Sequence, residues 1–227
     1  MGTTSELLYS LYDGSVRHND KVFMPVGNHT PAKCVALLGD NEAVSGDLDG
    51  NVSKYDLTGE KPPEKYSLST EPIQCIATYP TLHNLFIIGC TDGNISLWPT
   101  GSDAQKATLV AATQNDSIQS LQWFDERTLV SASLDRTITL WDVDQLSEIS
   151  VLSATCGILS VHMRGDLIIT GHPDRSIRLW DRRVEERRSV VAEFKSHSNW
   201  VSDVKWINNE VFVSGGYDGA IKLWNIG

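Results

Sequence analysis

The sequence predicts an all-β fold built from a repeated four-strand unit, and three observations carry that reading. A short pattern of Asp, then Gly or Arg, then a small residue and a β-branched one recurs six times along the 227 residues. An aromatic residue stands six positions after the Asp in five of the six copies. Alternating apolar runs flank each copy. Short antiparallel sheets repeated every ~40 residues are the blades of a β-propeller.

The copies begin at Asp13, Asp49, Asp92, Asp135, Asp174 and Asp218, and the sixth position after each is Asn19, Tyr55, Trp98, Trp141, Trp180 or Trp224. Asp-Gly between alternating runs signals a tight hairpin, because Gly tolerates positive φ and the Asp carboxylate bonds the turn backbone. One strand precedes each turn, as in 128–133 and 211–216, and another follows it, as in 137–141 and 220–224. A third lies upstream, as in 117–123 and 200–206, and a fourth downstream, as in 189–194. Two strands alone are marginal in water, so the four act together.

The units are expected at residues 1–26 (partial), 27–68, 69–111, 112–152, 153–194 and 195–227, within a single domain. Five full repeats and a partial first one describe an incomplete or open propeller ring, since closure requires the terminal strands to share a blade. The opening strand at 7–12 is expected to lack an inner neighbour, and the last unit an outer one.

Composition narrows the function. The chain is 41% hydrophobic, enough for one sizeable core. Its 19 basic and 29 acidic residues give a net charge of -10, which opposes broad attraction to nucleic-acid phosphates. No stretch approaches the ~20 apolar residues that cross a bilayer, and the start does not read as a signal peptide, so a soluble chain without membrane contact is expected. Cys34, Cys75, Cys90 and Cys156 form no C-x-x-C pair and no cluster with histidine, so they read as small core residues in a reducing compartment, with no metal or cofactor.

In the last unit His197, Ser214, Asp218 and Trp224 could be taken for a Ser-His-Asp hydrolase set. The same residue types recur as Ser131, Asp135 and Trp141, and as Thr170, Asp174 and Trp180, whereas a catalytic site is needed once. They read as hydrogen-bond networks inside each blade. No G-x-S-x-G elbow, phosphate loop or H-E-x-x-H helix is found, and an enzyme is not expected.

Propellers bind partners on their loop rims, which makes exposed turn aromatics the candidate contacts. Trp200 and Tyr217 should lie near one face of the last blade, with Tyr12 at the corresponding turn of the first. The alternative for Trp200 is packing into a neighbouring blade. Residues 164–195 hold eight basic against six acidic residues, and Arg182, Arg183, Arg187 and Arg188 fall in one loop. They either grip RNA phosphates or an acidic partner segment, or form a solvated loop neutralised by Glu185 and Glu186. Residues 57–65 and 100–106 read as polar connectors.

The dipeptides Tyr55-Asp56, Trp141-Asp142 and Trp180-Asp181, with Trp98-Pro99 and Trp224-Asn225 as variants, resemble the closing residues of WD repeats. Within that family, residues 174–183 and 196–206 are similar to the WD-repeat subunits of PeBoW ribosome-assembly complexes. The resemblance implies a non-catalytic scaffold in maturation of the large ribosomal subunit precursor and its rRNA. Its implied partners are pescadillo-like and block-of-proliferation-like proteins on that precursor, with rRNA contact secondary. It implies a nucleolar and nucleoplasmic location, with the cytoplasm as the alternative. It further implies an N-terminal ubiquitin-like domain that docks on the midasin ATPase, followed by seven blades. These residues contain no counterpart of that domain, so midasin docking is not expected of them. The other reading is a WD-repeat adaptor of a different complex, such as a ubiquitin ligase receptor or a trafficking or signalling scaffold. A propeller hydrolase would need one convergent set of acids or metal ligands, and only repeated residues are visible.

Overall fold

The computed structural model describes residues 8–19, 21–25, 30–79, 85–100, 108–111, 114–145, 147–184 and 189–227. They fall into two compact units, Met1–Ala112 and Thr113–Gly227. Every described sheet is antiparallel, with strands in sequence order.

The first unit holds three sheets. The first contains β1 (Leu8–Ser10), β2 (Val16–His18) and β3 (Lys21–Phe23). The second contains β4 (Ala32–Leu38), β5 (Glu42–Asp47), β6 (Asn51–Asp56) and β7 (Glu64–Ser67). The third contains β8 (Ile73–Thr78), β9 (Leu85–Cys90), β10 (Ile95–Pro99) and β11 (Thr108–Ala111). Leu38, Val44 and Val52 pack against Ile73, Phe86, Ile88 and Trp98 to join the second sheet to the third. The expected connector at 57–65 is shorter than read, since Glu64 and Lys65 already belong to β7 and pair with Lys54 and Ser53. Leu7 and residues 101–106 lie outside the described residues.

The second unit holds the other three sheets. The fourth contains β12 (Ile118–Trp123), β13 (Thr128–Ser133), β14 (Thr137–Asp142) and β15 (Ser147–Ser153). The fifth contains β16 (Ser160–Arg164), β17 (Leu167–Gly171), β18 (Ser176–Asp181) and β19 (Val190–Lys195). The sixth contains β20 (Val201–Trp206), β21 (Val211–Gly216) and β22 (Ile221–Asn225). The fifth sheet is buried on both faces. One face supplies Ile168 and Trp180 to a core with Val130, Ile138 and Leu140, and the other supplies Ile169, Ile177 and Leu179 to a core with Val201, Val204 and Phe212. This two-sided burial is why β17 reads as a near-continuous apolar run. Neighbouring inner strands are also tied by polar groups. Gln122 Nε2 donates to the Met163 carbonyl at 3.1 Å, and the Val204 amide donates to Ser160 Oγ at 3.2 Å.

The repeated Asp turn has one geometry. Between β13 and β14 the Arg136 amide donates to the Ser133 carbonyl at 3.2 Å, and Asp135 Oδ1 accepts the Thr137 amide at 2.8 Å. The residue after the Asp then lies in the left-handed region that closes a three-residue hairpin loop. Its φ is 84° at Gly14, 79° at Gly50, 85° at Gly93 and 75° at Gly219. Arg136 and Arg175 adopt the same conformation, at 78° and 72°, without the freedom of glycine. The second sheet departs in one detail: Asp47, not Asp49, accepts the Asn51 amide, while Asp49 accepts Thr30 Oγ1.

Candidate functional site

Each of the last three sheets carries a polar chain that starts at its tryptophan. In the sixth, Trp224 Nε1 donates to Ser214 Oγ at 2.8 Å, Ser214 Oγ donates to His197 Nε2 at 2.8 Å, and His197 Nδ1 donates to the Asp218 carboxylate at 3.0 Å. Its two ends set the direction, because an indole N–H only donates and a carboxylate only accepts. Asp218 also accepts the Ser198 and Ala220 amides. The Ser198 amide first, and then His197, hold its carboxyl well below the usual range. The order of groups is that of a hydrolase triad, but Ser214 is 1% exposed and its hydroxyl is engaged on both sides.

In the fourth sheet Trp141 Nε1 donates to Ser131 Oγ and Ser131 Oγ to Gln114 Oε1, both at 2.8 Å. Gln114 Nε2 then donates to Thr137 Oγ1 at 2.8 Å, and Thr137 Oγ1 to Asp135 at 2.6 Å. A buried amide thus replaces the imidazole. In the fifth sheet Trp180 Nε1 donates to Thr170 Oγ1, and Thr170 Oγ1 to His172 Nε2, each at 2.7 Å, while His172 Nδ1 donates to the Gly157 carbonyl at 3.0 Å. Asp174 stands outside that chain and pairs with Arg178, which also reaches Glu193 at 3.2 Å. Burial pushes the His172 imidazole down to about 4, with Arg178 adding to the effect. Gln114 and His172 are functional members of these networks that the repeat pattern did not single out.

The thiols divide by burial. Cys75 and Cys90 are buried, whereas Cys34, like Cys156, is part-exposed and so departs from the expected core placement; desolvation of its thiol still pushes Cys34 up to about 12, which keeps it protonated. Cys156 differs from the expected core residue: it is part-exposed, 3.6 Å from His172 Nδ1 and 3.5 Å from Arg178 Nη1.

The rim of the sixth sheet presents the aromatic pair. The Tyr217 amide donates to the Trp200 carbonyl at 2.9 Å, and the two rings meet edge to face at 6.0 Å and 89°. Trp200 is 50% exposed and Tyr217 65%, so Trp200 lies on the rim and not inside a neighbouring sheet. In the first unit Tyr12, 85% exposed, holds the matching position before Asp13.

The arginine loop is placed in part. Arg182 Nε donates to Asp166 at 2.8 Å, and its guanidinium lies 5.6 Å over the Phe124 ring. Arg183 grips Asp181 through Nε at 2.9 Å and Nη2 at 2.6 Å, which holds the Asp181 carboxyl down to about 2. Both charges are therefore matched within their own sheet. Arg187 and Arg188, like Glu185 and Glu186, lie outside the described residues.

Repeated four-stranded sheets, a shared Asp turn and a tryptophan whose indole bonds a strand hydroxyl define a WD-repeat protein. The profile of the WD domain, G-beta repeat, matches residues 105–142, 146–181 and 188–225. Each match begins at the outer strand of one sheet and ends at the third strand of the next. Within this class the chain is similar to proteins named ribosome biogenesis protein WDR12 homolog. It is 37% identical to that of Aedes aegypti over 134 residues, covering 54% of this chain and 30% of the relative. It is 30% identical to that of Culex quinquefasciatus over 177 residues, 67% of this chain and 41% of the relative. With that of Ixodes scapularis it shares 34% over 122 residues, 52% of this chain and 28% of the relative. The chain thus spans well under half the length of these relatives.

Proposed function

We propose that the chain is a non-enzymatic interaction scaffold of ribosome biogenesis. It would act in maturation of the large-subunit precursor and its rRNA, within a PeBoW-like assembly of pescadillo-like and block-of-proliferation-like proteins. The observation that carries this reading is the consistent naming of its relatives as ribosome biogenesis proteins. The buried Ser214–His197–Asp218 chain supports the non-enzymatic part, since its hydroxyl is spent on structure. The exposed Trp200–Tyr217 pair is the partner contact in this reading: two rigid, adjacent aromatic side chains offer large contact area at low entropic cost. A nucleolar and nucleoplasmic location follows from the same role.

Depleting the chain from its own cells tests the proposal. Accumulation of large-subunit rRNA precursors, with small-subunit rRNA unchanged, is expected. Normal processing of both would instead favour an adaptor of another complex.

A further inference from the structure

In the second unit a cleft of about 320 Å³ opens where the β16–β17 hairpin meets the β20–β21 hairpin, lined by Arg164, Asp166, Leu167, Arg183, Trp206 and Asn209. That volume sits at the small end of ligand pockets. Its charges are unevenly matched. Asp166 and Asp181 answer Arg182 and Arg183. Arg164 has a neutral partner, donating from Nε to Asn209 Oδ1 at 2.6 Å, and no carboxylate pairs with it among the described residues. Its terminal nitrogens keep their donors.

Trp206, which lines the cleft, carries a second unspent donor in its buried indole nitrogen. Trp206 is buried with its ring edge-on to Phe212 at 5.4 Å, and its indole nitrogen has no acceptor among the described residues. A buried N–H without an acceptor is costly, and a ligand that supplies one gains by it.

We propose that this cleft receives the carboxylate of an acidic side chain from a partner peptide. Arg164 donates to the carboxylate, the Trp206 indole N–H turns to it as it seats, and Leu167 with the Trp206 ring covers the methylene stem. One uncompensated guanidinium matches one negative charge. A run of phosphates fits poorly, because Asp166 stands in the wall, Asp181 lies behind Arg183, and the whole chain carries -10. The site deepens the scaffold reading by naming what one rim of the second unit holds, and its test is independent of any assembly.

The test follows the Trp206 indole N–H resonance by NMR in the full chain, with the signal identified by its loss in Trp206→Phe. The chain is titrated with N-acetyl-glutamate methylamide, with the corresponding glutamine compound, and with a short single-stranded RNA. A saturable downfield shift with the glutamate compound alone is expected, with affinity about tenfold lower in Arg164→Gln, the loss of one charge-assisted hydrogen bond. No shift, or an equal shift with the glutamine compound, overturns the proposal. A shift driven by RNA at lower concentration also overturns it and makes the cleft a phosphate site. The wild-type titrations decide the matter even if Arg164→Gln fails to fold. A cleft that binds the glutamate compound in a chain that travels with no pre-ribosome would sink the ribosome reading and leave this one standing.

Discussion

Ile88 stands to Trp98 as Ser131 stands to Trp141: in each sheet it lies two residues along the strand from the one paired with the tryptophan. Ser131 Oγ accepts the Trp141 indole at 2.8 Å. Ile88 offers no acceptor, and the buried Trp98 indole nitrogen has none among the described residues. The third sheet keeps the shape of the repeat and has exchanged its polar tie for apolar packing with Phe86 and Cys90.

Replacing each tryptophan with phenylalanine therefore has unequal cost. Both substitutions shrink a buried ring, but only Trp141→Phe removes a hydrogen bond. Trp141→Phe should destabilise by about 1 kcal/mol more than Trp98→Phe, measured from denaturant midpoints. Equal losses would mean that the indole–hydroxyl bond contributes nothing net.

The two arginines in glycine-favouring turns are a reserve of stability. A non-glycine residue in the left-handed region costs about 1–2 kcal/mol, offset in part by the extra freedom glycine brings to the unfolded chain. Arg136→Gly and Arg175→Gly should each stabilise by about 0.5 kcal/mol and raise the melting temperature. The reverse change separates two effects. Gly219→Ala meets nothing within 4 Å and costs only the backbone term, whereas at Gly50 an added Cβ collides with the Ser69 carbonyl and costs more. A Gly50→Ala variant as stable as Gly219→Ala would contradict this packing.

Acid should loosen the fifth sheet before carboxylates protonate. A free histidine titrates near 6.5, and His172 in the fold near 4, so between these values the unfolded chain binds a proton that the folded one refuses. Stability is full above about pH 6.5 and falls as pH drops toward 4. His162, also pushed down to about 4 by burial, adds to the same window. His172→Gln should flatten the pH dependence of the denaturant midpoint between pH 7 and 4.5. An unchanged slope would remove His172 as a source.

Trp200 and Tyr217 are exposed, and their mutual contact is worth about 0.5–1.5 kcal/mol beyond burial. The Trp200→Ala, Tyr217→Ala double variant should keep a cooperative melt while capture of partners from extract falls at least fivefold. A collapsed melt would instead make the pair a packing element.

How much of this was legible depended on repetition. Asp135, Asp174 and Asp218 share one spacing to Trp141, Trp180 and Trp224, so the turn, the flanking strands and the hydroxyl under each indole could be located from sequence. The middle member of each chain could not. Gln114 precedes Asp135 by the same interval as His197 precedes Asp218, but an amide in place of an imidazole hid the equivalence. His172 enters from the turn side of β17, which only the folded backbone shows. Ion pairs were equally hidden. Arg182 meets Asp166 because the β17–β18 register sets Leu167 opposite Asp181, whereas the sequence offered only Glu185 and Glu186 as neutralising partners for that loop. The loss of the acceptor at Ile88, by contrast, was there to be read against Ser131.

Service of these blades in ribosome assembly is tested by affinity purification of the tagged chain from its own cells followed by gradient sedimentation. Pescadillo-like and block-of-proliferation-like proteins should travel with it on large-subunit precursors. A stable partner set sedimenting away from pre-ribosomes would contradict that role.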